Sequence, residues 1–191
     1  MKKNLSYLFI LISTILIFTT FVACNSTDKS SKFSKEQIEI GEKLVLEARC
    51  GFCHTPYIET TDIDKPETLK VFSGHPEDYK FPELPKVPVG SQQWLEFVEN
   101  LENTVWLNND MIVFSANITP HKETGIGTWT NDMFINTIRT GKHPETNKNL
   151  KQPMPWNEYS ELSDQQLTAI FAYLMTLKPV ENKVPGPLPI K

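Results

Sequence analysis

The sequence predicts an all-α domain with one short β-ribbon inside a long connecting segment. Three observations carry this. Ser34, Ser91, Thr130 and Ser163 each stand before a run whose apolar residues recur at helical spacing. Six prolines between Pro56 and Pro88 exclude a long helix there. Leu69–Phe72 and Met111–Phe114 are short runs suited to strands, and they can pair with each other.

The chain of 191 residues begins with a targeting segment. Lys2 and Lys3 are followed by an uncharged, mostly apolar run to Val22, and Ala23-Cys24 ends it. A basic start, an apolar stretch and a small residue before the cut describe a secretory signal over residues 1–23. The cysteine at the cut resembles the lipid-accepting cysteine of bacterial lipoproteins, which implies lipidation of Cys24. An uncleaved membrane anchor is the other reading, since the run is nearly long enough to span a bilayer. In both readings the domain is exported and held at the membrane, on the periplasmic side or in the cell envelope. Residues 24–33 are mostly polar and read as a flexible tether.

The domain proper is expected over 34–185, with 57–116 as an extended insert and 186–191 as a tail. Ser34 and Gln37 have capping-box spacing, and Ile38, Gly41, Leu44, Val45 and Ala48 form one face of the first helix. Glycine weakens a helix, so Gly41 predicts close approach by another helix. Ser91 caps a second helix with Trp94, Leu95, Val98 and Leu101 on its apolar face. Thr130 caps a third, with Phe134, Ile135 and Ile138 inside and Gly141 as its stop. A loop spans 142–157. Ser163 and Gln166 open the last helix, whose face is Leu167, Ile170, Phe171, Leu174 and Leu177, and Pro179 ends it.

The formal net charge is −4, and loss of Lys2 and Lys3 with the signal makes it more negative. That balance argues against nucleic acid as a partner. Only three cysteines are present. With Cys24 assigned to lipid, Cys50 and Cys53 remain, and no structural disulfide is left to stabilise the domain.

Cys50-Gly51-Phe52-Cys53-His54 is the attachment pattern of c-type haem. Two thiols three positions apart on a helical turn reach the two vinyl groups of the macrocycle, and the next residue presents an imidazole to iron. A zinc site lacks the further cysteines it needs, and a thioredoxin-like disulfide lacks alternating strands and helices. One pattern predicts one covalent haem, with Cys50 and Cys53 as thioethers and His54 as axial ligand. For the opposite face of the iron the candidates are Met154, Met111, His75, His121 and His143, or no residue. Met154 is preferred, because Pro153 and Pro155 stiffen its loop. Met111 lies in a β-prone run, and the three histidines lie among loop residues, where surface histidines are usual.

The order of these parts resembles class I cytochromes c, and in particular bacterial domains such as the cytochrome subunits of alcohol dehydrogenases. The likeness covers roughly residues 36–185 and rests on Asn117–Pro120, Gly125–Trp129, Arg139-Thr140-Gly141, Met154-Pro155-Trp156 and Ala169–Leu174. It implies a class I cytochrome c fold, His54 and Met154 as axial ligands, and a crossing of first and last helices with Gly41 facing Ile170, Tyr173 or Leu174. It also implies that Pro120 O accepts from His54 Nδ1, within Asn117–Pro120, and that Trp129 closes the haem edge. The plainer reading of Asn117–Pro120 is a strand-ending turn. Those subunits carry several haems, whereas this chain has one attachment pattern; its segment 57–116 is also larger than in minimal cytochromes c.

The function expected is single-electron transfer between redox proteins: a dehydrogenase, an oxidase or another cytochrome. A haem c peroxidase-like enzyme, or a gas or redox sensor with an open or labile sixth position, is the alternative.

Overall fold

A computed structural model describes residues 32–57, 70–108 and 111–190. The signal, Cys24 and most of the tether lie outside the described residues. The elements are α1 (Lys35–Glu47), α2 (Cys50–His54), α3 (Gln92–Glu99), β1 (Val105–Asn108), β2 (Met111–Phe114), α4 (Asn131–Thr140), α5 (Trp156–Tyr159), α6 (Asp164–Leu174) and β3 (Leu188–Pro189). Phe33 to Lys191 forms one compact unit.

The caps read from the sequence are present. Ser34 and Gln37 make a full capping box on α1, and Ser163 and Gln166 make another on α6. Each satisfies backbone N–H groups that a helix start leaves without partners. Thr130 accepts from Met133 N on α4, and Gly141 ends that helix in the left-handed region at φ 64°. Side-chain-free Gly takes this conformation at little cost.

α1 packs on α6 through Gly41. A Cβ there would stand 1.8 Å from Ala169 O and 3.0 Å from Tyr173 Cβ. The close approach is to Tyr173, one of the three expected partners, and most tightly to the backbone of Ala169. Val45, Phe72, Ile126, Phe134, Ile138, Leu167, Ile170, Phe171 and Leu174 form the buried core. Phe134 stacks on Phe171 with ring centroids 5.3 Å apart, joining α4 to α6.

Several expectations are corrected. Among the described residues, 70–72 take no part in the ribbon: β2 pairs antiparallel with β1 on one side and β3 on the other. Leu69 lies outside the described residues, and Phe72 sits in a turn at φ 60° with its ring in the core. The stretch expected as a tail supplies β3. On α3 the inward aromatic partner of Trp94 is Phe97, which also meets Phe81, while Leu95 is exposed. α6 ends at Leu174 and not at Pro179, although Leu177 still packs on the core. The 142–157 loop gives way at Trp156 to the single turn of α5.

The result is a helical unit with a small three-stranded antiparallel sheet. Among the described residues no helix is long and apolar enough to cross a membrane.

Candidate functional site

α1 closes at Ala48, Arg49 turns the chain in the left-handed region at φ 52°, and α2 starts at once with Cys50. This five-residue helix is Cys50-Gly51-Phe52-Cys53-His54 itself. Both cysteines carry free thiols on one turn. Burial pushes the Cys50 thiol up to about 11, opposed by a backbone N–H and reinforced by Cys53. Burial also raises Cys53. Both groups are therefore thiols and not thiolates near neutral pH.

His54 is held at a defined angle. Its Nδ1 lies 2.7 Å from Ala116 O, so Nδ1–H donates and the Nε2 lone pair is left for a metal. Burial lowers the imidazole pKa, and the bond to Ala116 opposes that shift. The acceptor is thus Ala116 and not Pro120. Backbone pairing explains the change. His75 N donates to Ser115 O at 2.9 Å and Ile118 N to Phe72 O at 3.0 Å, which lays 115–118 beside 72–75. Gly74 N in turn donates to His54 O at 2.8 Å. This brings the carbonyl of Ala116 to the imidazole.

Asn117–Pro120 instead folds onto Gly125–Trp129. Ile126 N donates to Thr119 O at 2.9 Å. A Cβ on Gly125 would lie 2.2 Å from Thr119 O, and one on Gly127 2.3 Å from Pro120 O. The two glycines are required by this contact. Asn117 does not reach His54: its Oδ1 accepts from the Thr119 N–H and hydroxyl, and its Nδ2 donates to Val180 O and Thr124 Oγ1. Trp129 packs on the core and meets the His143 ring edge-on, with centroids 5.3 Å apart.

Met154 and Cys50 pack against the same apolar core. One hydrogen bond ties the helix that follows the methionine loop to the residues just before the cysteine turn. Tyr159 O–H donates to Ala48 O at 3.0 Å, two residues before Cys50. Burial raises the Tyr159 phenol pKa first, and Cys50, Glu158 and Cys53 raise it further. Arg139 and Gly141 hold the stretch that follows the loop. Arg139 donates to Ser160 O and pairs with Asp164 at 2.6 Å. A Cβ on Gly141 would strike the Trp156 ring at 2.4 Å. Met111 is instead a strand residue of β2, paired with Asn108 and Pro189.

His75 is corrected from the surface to the interior. It is 1% exposed, its Nδ1 lies 2.8 Å from Thr104 Oγ1, and its ring stacks on Phe114 at 4.5 Å. His121 and His143 are half-buried, and each Nδ1 accepts a nearby backbone N–H, from Thr124 and Glu145.

The sequence reading missed Asn103, Ala116 and Asn182. Asn103 Nδ2 donates to Phe52 O at 2.7 Å and Thr55 O at 2.9 Å, and its Oδ1 accepts from Tyr57 N at 3.0 Å. Asn182 is 2% exposed and binds Ser73 O, His75 O and Glu77 N. No local pattern marks either asparagine, and Ala116 acts through its backbone.

No family model matches the chain. Over 74 residues it is 36% identical to the fructose dehydrogenase cytochrome subunit of Gluconobacter japonicus, a match covering 38% of this chain and 15% of that protein. It is 36% identical over 87 residues to the gluconate 2-dehydrogenase cytochrome c subunit of Pantoea cypripedii, covering 41% of this chain and 19% of that one. With the cytochrome c subunit of the quinone alcohol dehydrogenase of Gluconobacter oxydans it shares 37% over 76 residues, covering 38% and 16%. The match spans under a fifth of each of these relatives. The chain resembles cytochrome c subunits of bacterial dehydrogenases.

Proposed function

We propose that this chain is an exported c-type cytochrome of class I fold that carries one haem and transfers single electrons. The observation that carries the reading is the His54 Nδ1 bond to Ala116 O inside a Cys-x-x-Cys-His turn. A histidine whose one nitrogen is committed to a fixed acceptor has its other nitrogen aimed and available for iron.

The residues fit the group. One helical turn bears both thiols, and Met154 and Cys50 border one apolar core. In this reading Cys50 and Cys53 form the thioethers, and His54 and Met154 hold the iron. Bound haem supplies a one-electron couple, and a methionine opposite histidine raises its potential. Were His54 and Met154 both to hold the iron, the chain itself would supply the ligands and the group would serve electron transfer. Phe72, Ile126 and Phe171 belong to the buried apolar core that Cys50 and Met154 pack against, and apolar surroundings of this kind would further tune the potential. Trp129 lines the same core, where it is suited to cover the haem edge.

The dehydrogenase relatives favour a dehydrogenase as electron donor, with an oxidase or another cytochrome as acceptor. Lipid on Cys24 would keep the carrier at the membrane. Mass spectrometry of the mature N-terminus tests this, and retention of Lys2 and Lys3 would exclude lipidation at a cleaved Cys24.

A pyridine haemochrome assay on protein of known concentration tests the central reading. One c-type haem per chain and a six-coordinate low-spin spectrum are expected. Absence of haem, or bound zinc in its place, overturns it. Five-coordinate high-spin iron transfers the case to a peroxidase-like enzyme or a sensor.

A further inference from the structure

The segment between the cysteine turn and Asn117 has one hydrogen-bonding task in the functional reading, that of the Ala116 carbonyl. Its hairpin has an open end directed at α2. β1 and β2 pair with Val105 opposite Phe114. The pairing continues outward, because Ser115 N donates to Thr104 O at 2.9 Å. One position further along the same register stand Asn103 and Ala116. Both grip the cysteine turn.

Ala116 takes the imidazole of His54 through its carbonyl at 2.7 Å. Asn103 takes the backbone at the other end of the turn. A helix of five residues is far below the length that is stable by itself, and its last carbonyls lack partners within the helix. Asn103 supplies them, donating to Phe52 O and Thr55 O while accepting from Tyr57 N. Glu102 Oε1 also accepts from Tyr57 N. Every polar direction used by the Asn103 amide ends on the stretch Phe52–Tyr57, which contains Cys53 and His54. The hairpin root is itself anchored, since Thr104 Oγ1 meets the buried His75, and Gly74 N donates to His54 O.

We propose that Asn103 is a positioning residue for the axial histidine. It and Ala116 form the two jaws of one clamp, which sets the orientation that the His54 ring would present to a haem iron. This rests on the reading of Cys50-Gly51-Phe52-Cys53-His54 as a haem-bearing turn. The physical reason is that ring rotation depends on two things: where the imidazole N–H finds its acceptor, and how the backbone carrying the ring is oriented. Ala116 fixes the first and Asn103 the second. They share one register, so they hold their spacing as a unit. A main-chain acceptor cannot be removed by substitution, which makes Asn103 the jaw open to test.

The experiment uses the full-length haem-bearing protein with Asn103→Leu and Asn103→Asp. Leu keeps the size and removes all three bonds. Asp keeps the acceptor for Tyr57 N and removes both donors. Electron paramagnetic resonance of the oxidised protein and the paramagnetically shifted haem methyl resonances both report ring orientation. The expected result is one haem per chain, with a displaced low-spin signal and a reordered methyl pattern in both variants. Should Asn103→Leu fail to accumulate, Asn103→Asp carries the same readouts. Asn103→Gln, which keeps the amide, should lie closer to the wild type. Variants that lose stability but keep the wild-type resonance signal and methyl pattern overturn the clamp and leave Asn103 a structural cap. A wild-type protein without covalent haem overturns the functional reading itself, which is a separate result.

Discussion

Gly41 lies against Ala169 so closely that a Cβ on Gly41 would stand 1.8 Å from the Ala169 carbonyl oxygen. The obstacle is backbone and not a side chain that can turn away, so α1 and α6 cross only because position 41 lacks a Cβ. On helix propensity alone, Gly41→Ala should stabilise α1 by about 1 kcal/mol. Overpacking against backbone acts the other way and is larger, typically up to about 3 kcal/mol. Gly41→Ala should therefore lower the urea midpoint, with a net loss of up to about 2 kcal/mol. An unchanged or raised midpoint would show that the crossing relaxes freely.

Met154 and Met111 give opposite expectations. Met154→Ala in the haem-bearing protein should abolish the weak red sulfur-to-iron band of the oxidised form and lower the potential. Met111→Ala should leave both unchanged, because Met111 is a strand residue paired with Asn108 and Pro189. Survival of the band in Met154→Ala, with its loss in Met111→Ala, would reverse the ligand assignment.

His75 gives a pH dependence. Burial lowers its pKa from 6.5 to about 4. Its packed neighbours are neutral: the Thr104 hydroxyl and the rings of Phe114 and Tyr79. A folded pKa below the unfolded one means that the unfolded chain binds the proton first as pH falls. The stability contribution is whole above pH 6.5 and is lost progressively down to about pH 4. The loss should approach about 3 kcal/mol. His75→Phe removes the titrating group, so its stability should vary less across that window than the wild type's. Parallel profiles for the two proteins would exclude His75 as the source.

Asn182 joins the C-terminal segment to the segment beside the cysteine turn. Asn182→Ala leaves the buried carbonyls of Ser73 and His75 and the Glu77 N–H without their partner. The expected loss is roughly 2–4 kcal/mol in chemical denaturation. Asn182→Asp should do no better, because it sets an oxygen against two carbonyls. A loss below about 0.5 kcal/mol, the range of ordinary surface changes, would mean that water takes over these bonds.

Much of the molecule was legible without coordinates because its signals are local. Ser34 with Gln37 and Ser163 with Gln166 lie within one helical turn, so side-chain spacing alone specifies the caps. Gly141 ends α4 through its own backbone freedom. The Cys50–His54 pattern is a one-turn chemistry, and its residues are adjacent wherever the turn is placed. Gly41 announced a close approach, and Tyr173 was among the partners expected, but the nearest atoms are those of the Ala169 backbone.

What the tertiary structure decided lies across long separations. The acceptor for His54 is a main-chain carbonyl, and every residue has one, so no side-chain pattern distinguishes Ala116 from Pro120. Selection came from the pairing of 72–75 with 115–118, which is set by backbone hydrogen bonds. The β2 partner was misread for the same reason: Leu69–Phe72 and Val105–Asn108 are both plausible strands, and register is a property of two segments together. His75 looks like a surface histidine in a proline-rich stretch until Thr104 and Phe114 close over it. The sequence by itself determined where the residues of the Cys-x-x-Cys-His pattern proposed to attach a haem stand, because such a pattern depends on residue type and short spacing. Only the fold decided what aims them, because aiming depends on where distant backbone groups come to rest.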